Sequence, residues 1–155
     1  MQYAQIRKED QAIFHSLMDR YYREGEDSQT PQEEIDFFIG LLFGKLCAEK
    51  IRGCFARIGE RDIGFALWTV DSADFEFSEM PGSGTILEIG LFPEYRGAGF
   101  GRALVTAVEE NLRREGAEEC YVTAYGPARR FWERCGYKAN GRFAANALPI
   151  LIKRI

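Results

Sequence analysis

Arg96, Gly97, Gly99, Gly101 and Arg102 crowd into the stretch PEYRGAGFGRAL, from Pro93 to Leu104. An apolar run precedes it and a helix-like run follows. A strand that feeds a glycine loop opening a helix is a phosphate-binding geometry, because bare backbone N–H groups and the helix dipole converge on the anion. Two well-known loops of this kind fail on spacing. A P-loop ends in Gly-Lys-Ser or Gly-Lys-Thr, whereas Arg102 and Ala103 follow Gly101. The dinucleotide fingerprint needs a glycine where Arg102 stands. A ligand-free glycine turn accounts for one or two of these glycines, but hardly for all three beside two arginines.

A few residues upstream, in ILEIGLF, Glu88 is a lone carboxylate among apolar neighbours. Strand alternation puts Glu88 and Gly90 on one face and Leu87, Ile89 and Leu91 on the other. Desolvation in such surroundings raises a carboxyl pKa. Gly90 marks either a bulge, a close approach by another backbone-like group, or a packing constraint.

Other chemistries are poorly supplied. Cys47, Cys54, Cys120 and Cys135 form no CxxC pair and sit in apolar runs, with His15 the one histidine. Reduced buried thiols are expected, and no metal site. His15 falls on the polar face of its helix, as a solvated histidine does. The N-terminus lacks the pattern of a signal peptide and no apolar run reaches membrane-span length, so a cytoplasmic protein without membrane attachment is expected. A net charge of −4 gives no general attraction to nucleic acid. The charge is uneven, however. Asp62 to Tyr95 holds seven acids and no Lys or Arg, and Arg96 to Arg142 holds nine basic residues against six acidic ones.

The elements that position these residues follow from hydrophobic periodicity in a chain of 155 residues and 46% hydrophobic content, which suits one domain over 1–155. Gln2 to Ile6 is a short strand. Ile13, Phe14, Leu17, Met18, Tyr21 and Tyr22 recur at helical spacing. Thr30-Pro31-Gln32-Glu33 starts a second helix, with a capping box and proline at its first position. Its body, IDFFIGLLFGKLCAEK, is apolar on nearly every side; it is buried, lines a cleft or faces a partner subunit, with core the first expectation and a homodimer the alternative. Cys54–Ile58 and Ile63–Val70 are strands around a turn at Gly59–Asp62, and DSADFEFSEMPGSG is an exposed excursion. Strand Thr85–Phe92 leads into the glycine loop, and a helix then runs to its stop at Gly116. Strand Cys120–Ala124, a short helix Ala128–Cys135 and strand Ala147–Ile155 complete the chain.

Arg96-Gly97-Ala98-Gly99-Phe100-Gly101 resembles the [QR]xxGx[GA] acyl-CoA signature of the GNAT superfamily of N-acyltransferases. The order of surrounding segments agrees: GFALW (Gly64 to Trp68) is similar to the family's third strand, ILEIGLFPEYR to its fourth strand and loop, and ARRFWERCGY (Ala128 to Tyr137) to the segment beside the pantetheine arm. The resemblance spans about Ile63 to Tyr137. It implies an α/β (α+β) fold with a mixed central sheet flanked by helices, its fourth and fifth strands splayed at a bulge near Gly90. It implies acetyl-CoA as co-substrate, with Arg96, Gly97, Ala98, Gly99, Phe100, Gly101 and Arg102 around the pyrophosphate. Backbone amides near Leu91 and Phe92 would hold the thioester carbonyl and pantetheine, and Phe131 and Trp132 would be channel walls or core.

Under that resemblance the acceptor is an amine, which must lose a proton before it attacks a thioester. Glu88 is the candidate general base, directly or through a water, against the plainer reading of a structural glutamate. A backbone amide at Leu91 would stabilise the developing oxyanion. Trp132 stands where many relatives carry a tyrosine that protonates the leaving thiolate, and indole cannot do so. Tyr125 is the substitute candidate, with solvent the other; Tyr137 is expected to be packing. The implied function is N-acetyl transfer to a primary amine of a small molecule or peptide, in a ternary complex. Asp71, Asp74, Glu76 and Glu79, with Glu24, Glu26, Asp27, Glu33 and Glu34, suggest a cationic one. A non-catalytic acyl-CoA sensor is the competing expectation.

Overall fold

The computed structural model describes residues 1–24, 29–124 and 126–155. In chain order it has β1 (Gln2–Gln5), α1 (Gln11–Arg23), α2 (Gln32–Cys47), β2 (Arg52–Ile58), β3 (Arg61–Val70), β4 (Gly84–Leu91), α3 (Phe100–Arg114), β5 (Glu119–Thr123), α4 (Gly126–Arg134), β6 (Lys138–Phe143) and β7 (Pro149–Arg154). Strand order is β1-β2-β3-β4-β5-β7-β6. β4 runs parallel to β5, while β1–β2, β5–β7 and β6–β7 are antiparallel. The sheet is therefore mixed, as expected, and flanked by helices. Its β4–β5 register comprises Gly84↔Cys120 and Thr85↔Tyr121, although β4 continues to Leu91.

The chain forms two compact units, Met1–Leu67 with Glu88–Gly101, and Trp68–Leu87 with Arg102–Ile155. In the first, α1 buries Phe14, Met18 and Tyr22, one residue per turn, and α2 buries Ile35, Ile39, Leu42 and Phe43. Phe14 and Phe43 meet at 5.4 Å between ring centroids. Two expectations need correction. Ile13 is exposed, and Phe37 is 74% exposed, because a helix buries one stripe even when its whole circumference is apolar. Nor does α2 begin at a capping box: Pro31 is its N-cap, with extended ψ of 142° and no side-chain cap. The Pro31 carbonyl instead accepts the amides of Glu34 and Ile35. The β2–β3 turn is tighter than expected, closing on Gly59 and Glu60 with Gly59 at φ 60°.

In the second unit, α3 buries Leu104, Val105, Val108 and Leu112 on one face and ends at Gly116, whose φ of 93° suits a helix stop. The excursion after β3 is not simply exposed. Asp71 is buried at its root, where its Oδ2 accepts the Glu79 and Met80 amides at 3.0 and 2.7 Å and the Tyr121 hydroxyl at 2.9 Å. A buried carboxylate is stable only when so bonded. Strand β6 was not expected at all. KANGRF is polar and mostly exposed, with Gly141 at φ 81° and an irregular register, so its pairing comes from β7 rather than from its own pattern.

All four cysteines are free thiols. Burial pushes Cys54 and Cys120 up to about 12, which leaves them inert as nucleophiles near neutral pH. Among the described residues, no helix is long and apolar enough to cross a membrane. His15 is a surface residue, 3.0 Å from Asp36.

Candidate active site

In the first unit, α1 lies against the C-terminal half of β4. Glu88 is half-buried, and the Tyr22 hydroxyl donates to its Oε1 at 3.2 Å. The Tyr21 hydroxyl donates to the Ile89 carbonyl at 3.4 Å, and its ring stands edge-on to Phe65. A Cβ at Gly90 would sit 2.5 Å from the Tyr21 ring. Gly90 and Glu88 thus share the face towards α1, as alternation requires, and Gly90 is glycine to admit that ring. Gly64 has a parallel reason, since a Cβ there would lie 2.1 Å from the Gly90 carbonyl oxygen. Gly90→Ala is expected to cost roughly 1–3 kcal/mol by overpacking, read as a lower urea midpoint at constant m. A midpoint equal to the parent's would show that the Tyr21 ring yields freely.

The strand end corrects one sequence expectation. The Phe92 N–H is already spent, donating to the Ile63 carbonyl of β3 at 3.0 Å. It cannot also hold pantetheine. Successive N–H groups of an extended chain point to opposite edges, so the Leu91 N–H faces away from β3. The Leu91 carbonyl accepts Arg96 Nε at 2.8 Å, which pins the start of the glycine loop to the strand.

Beyond the short 3-10 turn Pro93–Tyr95, Gly97 and Gly99 have φ of 83° and 84°. L side chains avoid this left-handed region. A Cβ at either meets nothing within 4 Å, so both glycines are demanded by backbone conformation rather than by crowding. Gly97, Ala98 and Gly99 are exposed, Phe100 opens α3, and Gly101 lies in its first turn. No acidic residue occupies that turn, which leaves the positive helix end unopposed. The loop thus fits an anion held by backbone amides.

Arg20 secures the same strand end. Its guanidinium lies 3.8 Å above the Phe92 ring and donates to Glu24 and to both oxygens of Glu94. The Arg20 guanidinium holds Glu94 below the usual carboxylate range. Glu24 is therefore neutralised locally, and Asp71 is consumed structurally, so neither supports the expected acidic surface for an acceptor. Glu26, Asp27 and Tyr125 lie outside the described residues.

In the second unit, the Arg102 Nη2 donates to the Arg134 carbonyl at the end of α4, at 3.0 Å. Trp132 is 6% exposed and packs edge-on between Phe131 and Tyr137, at 5.2 and 5.1 Å. It is core. Phe131 is only half-buried. Tyr137 is buried, as expected for packing, and donates to the buried Glu109, which Lys153 also pairs at 2.7 Å.

Arg20, Tyr21, Tyr22 and Gly64 pack against β4 and the turn after it, where sequence reasoning gave them no role. Adjacent tyrosines on the apolar face of α1 were the available signal, since a buried phenol carries a hydroxyl that needs an acceptor.

The Acetyltransferase (GNAT) family model matches residues 11–137. The chain belongs to the GNAT acetyltransferase family. It is accordingly an N-acetyltransferase that takes acetyl-CoA as co-substrate. No curated protein is detectably similar in sequence. The fold is shared with the PaiA N-acetyltransferase of Thermoplasma acidophilum, solved with coenzyme A (TM-score 0.74, 15% identity, covering 99% of this chain and 98% of that one). An acetyltransferase of Thermus thermophilus superposes with TM-score 0.73 at 15% identity, covering 99% and 96%. An aminoglycoside 6'-acetyltransferase type Ii gives TM-score 0.73 at 13% identity, covering 99% and 97%.

Proposed function

We propose that this GNAT enzyme moves the acetyl group of acetyl-CoA onto a primary amine by direct attack in a ternary complex, with Glu88 as the general base. The observation that carries the reading is Glu88 itself, a half-buried carboxylate on β4 that accepts the Tyr22 hydroxyl. The ammonium form of the acceptor gives its proton to Glu88, directly or through a water. The amine nitrogen then bonds to the acetyl carbon as the carbon–sulfur bond breaks, and it loses its second proton to solvent to become the neutral amide. The Leu91 N–H donates to the thioester oxygen as negative charge develops there. The thiolate takes its proton from Tyr125 or from solvent, since Trp132 has no acidic proton to give. Residues 96–101 cradle the pyrophosphate, the amides of Gly97, Ala98, Gly99, Phe100 and Gly101 facing it and Arg96 adding positive charge.

The acceptor class is cationic. Support comes from Glu88 and from Glu33 and Glu34, which are exposed on the first turn of α2. A screen of thiol release from acetyl-CoA across an amine library tests this. Turnover is expected with polyamine-like, aminoglycoside-like or basic peptide amines, and turnover restricted to anionic or uncharged amines would overturn the acceptor class.

A further inference from the structure

Three consecutive side chains of α1 grip β4 and the turn after it at successive levels. Arg20 holds Glu94 and covers Phe92, Tyr21 bonds the Ile89 carbonyl, and Tyr22 bonds Glu88. Tyr22 thus reaches the carboxylate that carries a proton in the proposed reaction. Tyr22 is 6% exposed, and its ring stands edge-on to Phe38 of α2 at 5.9 Å and tilted against Tyr21 at 5.4 Å. Its hydroxyl is therefore delivered to Glu88 by a ring with little freedom to turn elsewhere.

A phenol donates to a carboxylate, and the bond is stronger when that carboxylate is ionised. Such a bond favours the charged form of the acid and restricts its rotation. Both consequences suit a group that must arrive deprotonated and aimed. We propose that Tyr22 is a positioning residue for acetyl transfer, its hydroxyl fixing one oxygen of Glu88 so that the carboxylate is held ionised and ready for the proton of the acceptor amine. The proposal rests on Glu88 being the base. Among the charged groups of α1 and the post-β4 turn, Arg20 pairs with Glu24 and Glu94, Arg23 donates to the Thr30 carbonyl and to Gln32, and Asp19 accepts from Gln32. Phe38 of α2 and Phe65 of β3 bring uncharged rings against Tyr22 and Tyr21 respectively.

The titration of Glu88 needs no acceptor. Carboxyl-carbon NMR of the full chain labelled at glutamate Cδ follows Glu88 through a pH titration, its signal assigned by its loss in Glu88→Gln. Tyr22→Phe keeps the ring and removes the donor, and the Glu88 midpoint should rise by roughly 0.5–1.5 pH units. Tyr21→Phe, which loses the bond to Ile89 instead, should leave that midpoint unmoved. Should Tyr22→Phe fold poorly, 3-fluorotyrosine installed at position 22 strengthens the donor and should lower the midpoint. An unmoved midpoint with either change at position 22, or an equal shift in Tyr21→Phe, overturns the role of Tyr22. Full-rate thiol release by Glu88→Gln would instead sink the base assignment beneath it, so the two failures are distinguishable.

Discussion

Glu88→Gln is expected to bind acetyl-CoA almost as the parent does while kcat/KM falls by roughly 10² to 10⁴ near neutral pH. The amide keeps the shape of the side chain and an oxygen for the Tyr22 hydroxyl, so the packing of α1 on β4 survives. What disappears is the capacity to take a proton from the acceptor. Part of the loss should return at alkaline pH, where more of the amine arrives already neutral. That recovery separates a missing base from a damaged fold, because a structural defect is not repaired by deprotonating the substrate. Steady-state rates between neutral and alkaline pH, with affinity for acetyl-CoA measured beside them, check both halves. A full-rate variant would falsify the assignment.

Gly99→Val should lose acetyl-CoA binding by at least about 10²-fold while the far-ultraviolet circular dichroism stays that of the parent. A β-branched residue resists the left-handed φ of 84° that Gly99 adopts. A Cβ at Gly99 meets no atom within 4 Å, so the position itself is uncrowded and the backbone conformation is the main constraint. A loss of affinity reports on the loop conformation and on how closely an anion approaches its amides. Titration calorimetry with acetyl-CoA reads the result directly. Undiminished affinity in a folded Gly99→Val protein would reject the backbone cradle.

The order of most elements was legible because helix and strand periodicity are local properties of the chain. Phe14, Met18 and Tyr22 repeat along one face of α1, and Leu104, Val108 and Leu112 along one face of α3, whatever they pack against. The glycine loop was legible for the same reason. Gly97 and Gly99 need their left-handed backbone regardless of the neighbours, and Gly116 ends α3 by the same device. Strand β6 was not legible, since a polar edge strand carries no pattern of its own and forms because β7 is already there.

Sequence alone therefore determined the phosphate-loop motif, the family it resembles and the placing of Glu88 and Gly90 on one strand face. Each depends on residues close together in the chain. Tertiary structure decided what those residues touch. Tyr22 reaches Glu88 from 66 positions away, the Phe92 amide is taken by Ile63, Asp71 is buried by Tyr121, and Arg102 is tied to the end of α4. Hydrogen bonds between distant segments leave no spacing to read. A carboxylate with two tyrosines elsewhere in the chain looks the same whether it is solvated, structural or held for catalysis, until the packing of α1 on β4 brings a hydroxyl to within 3.2 Å of it.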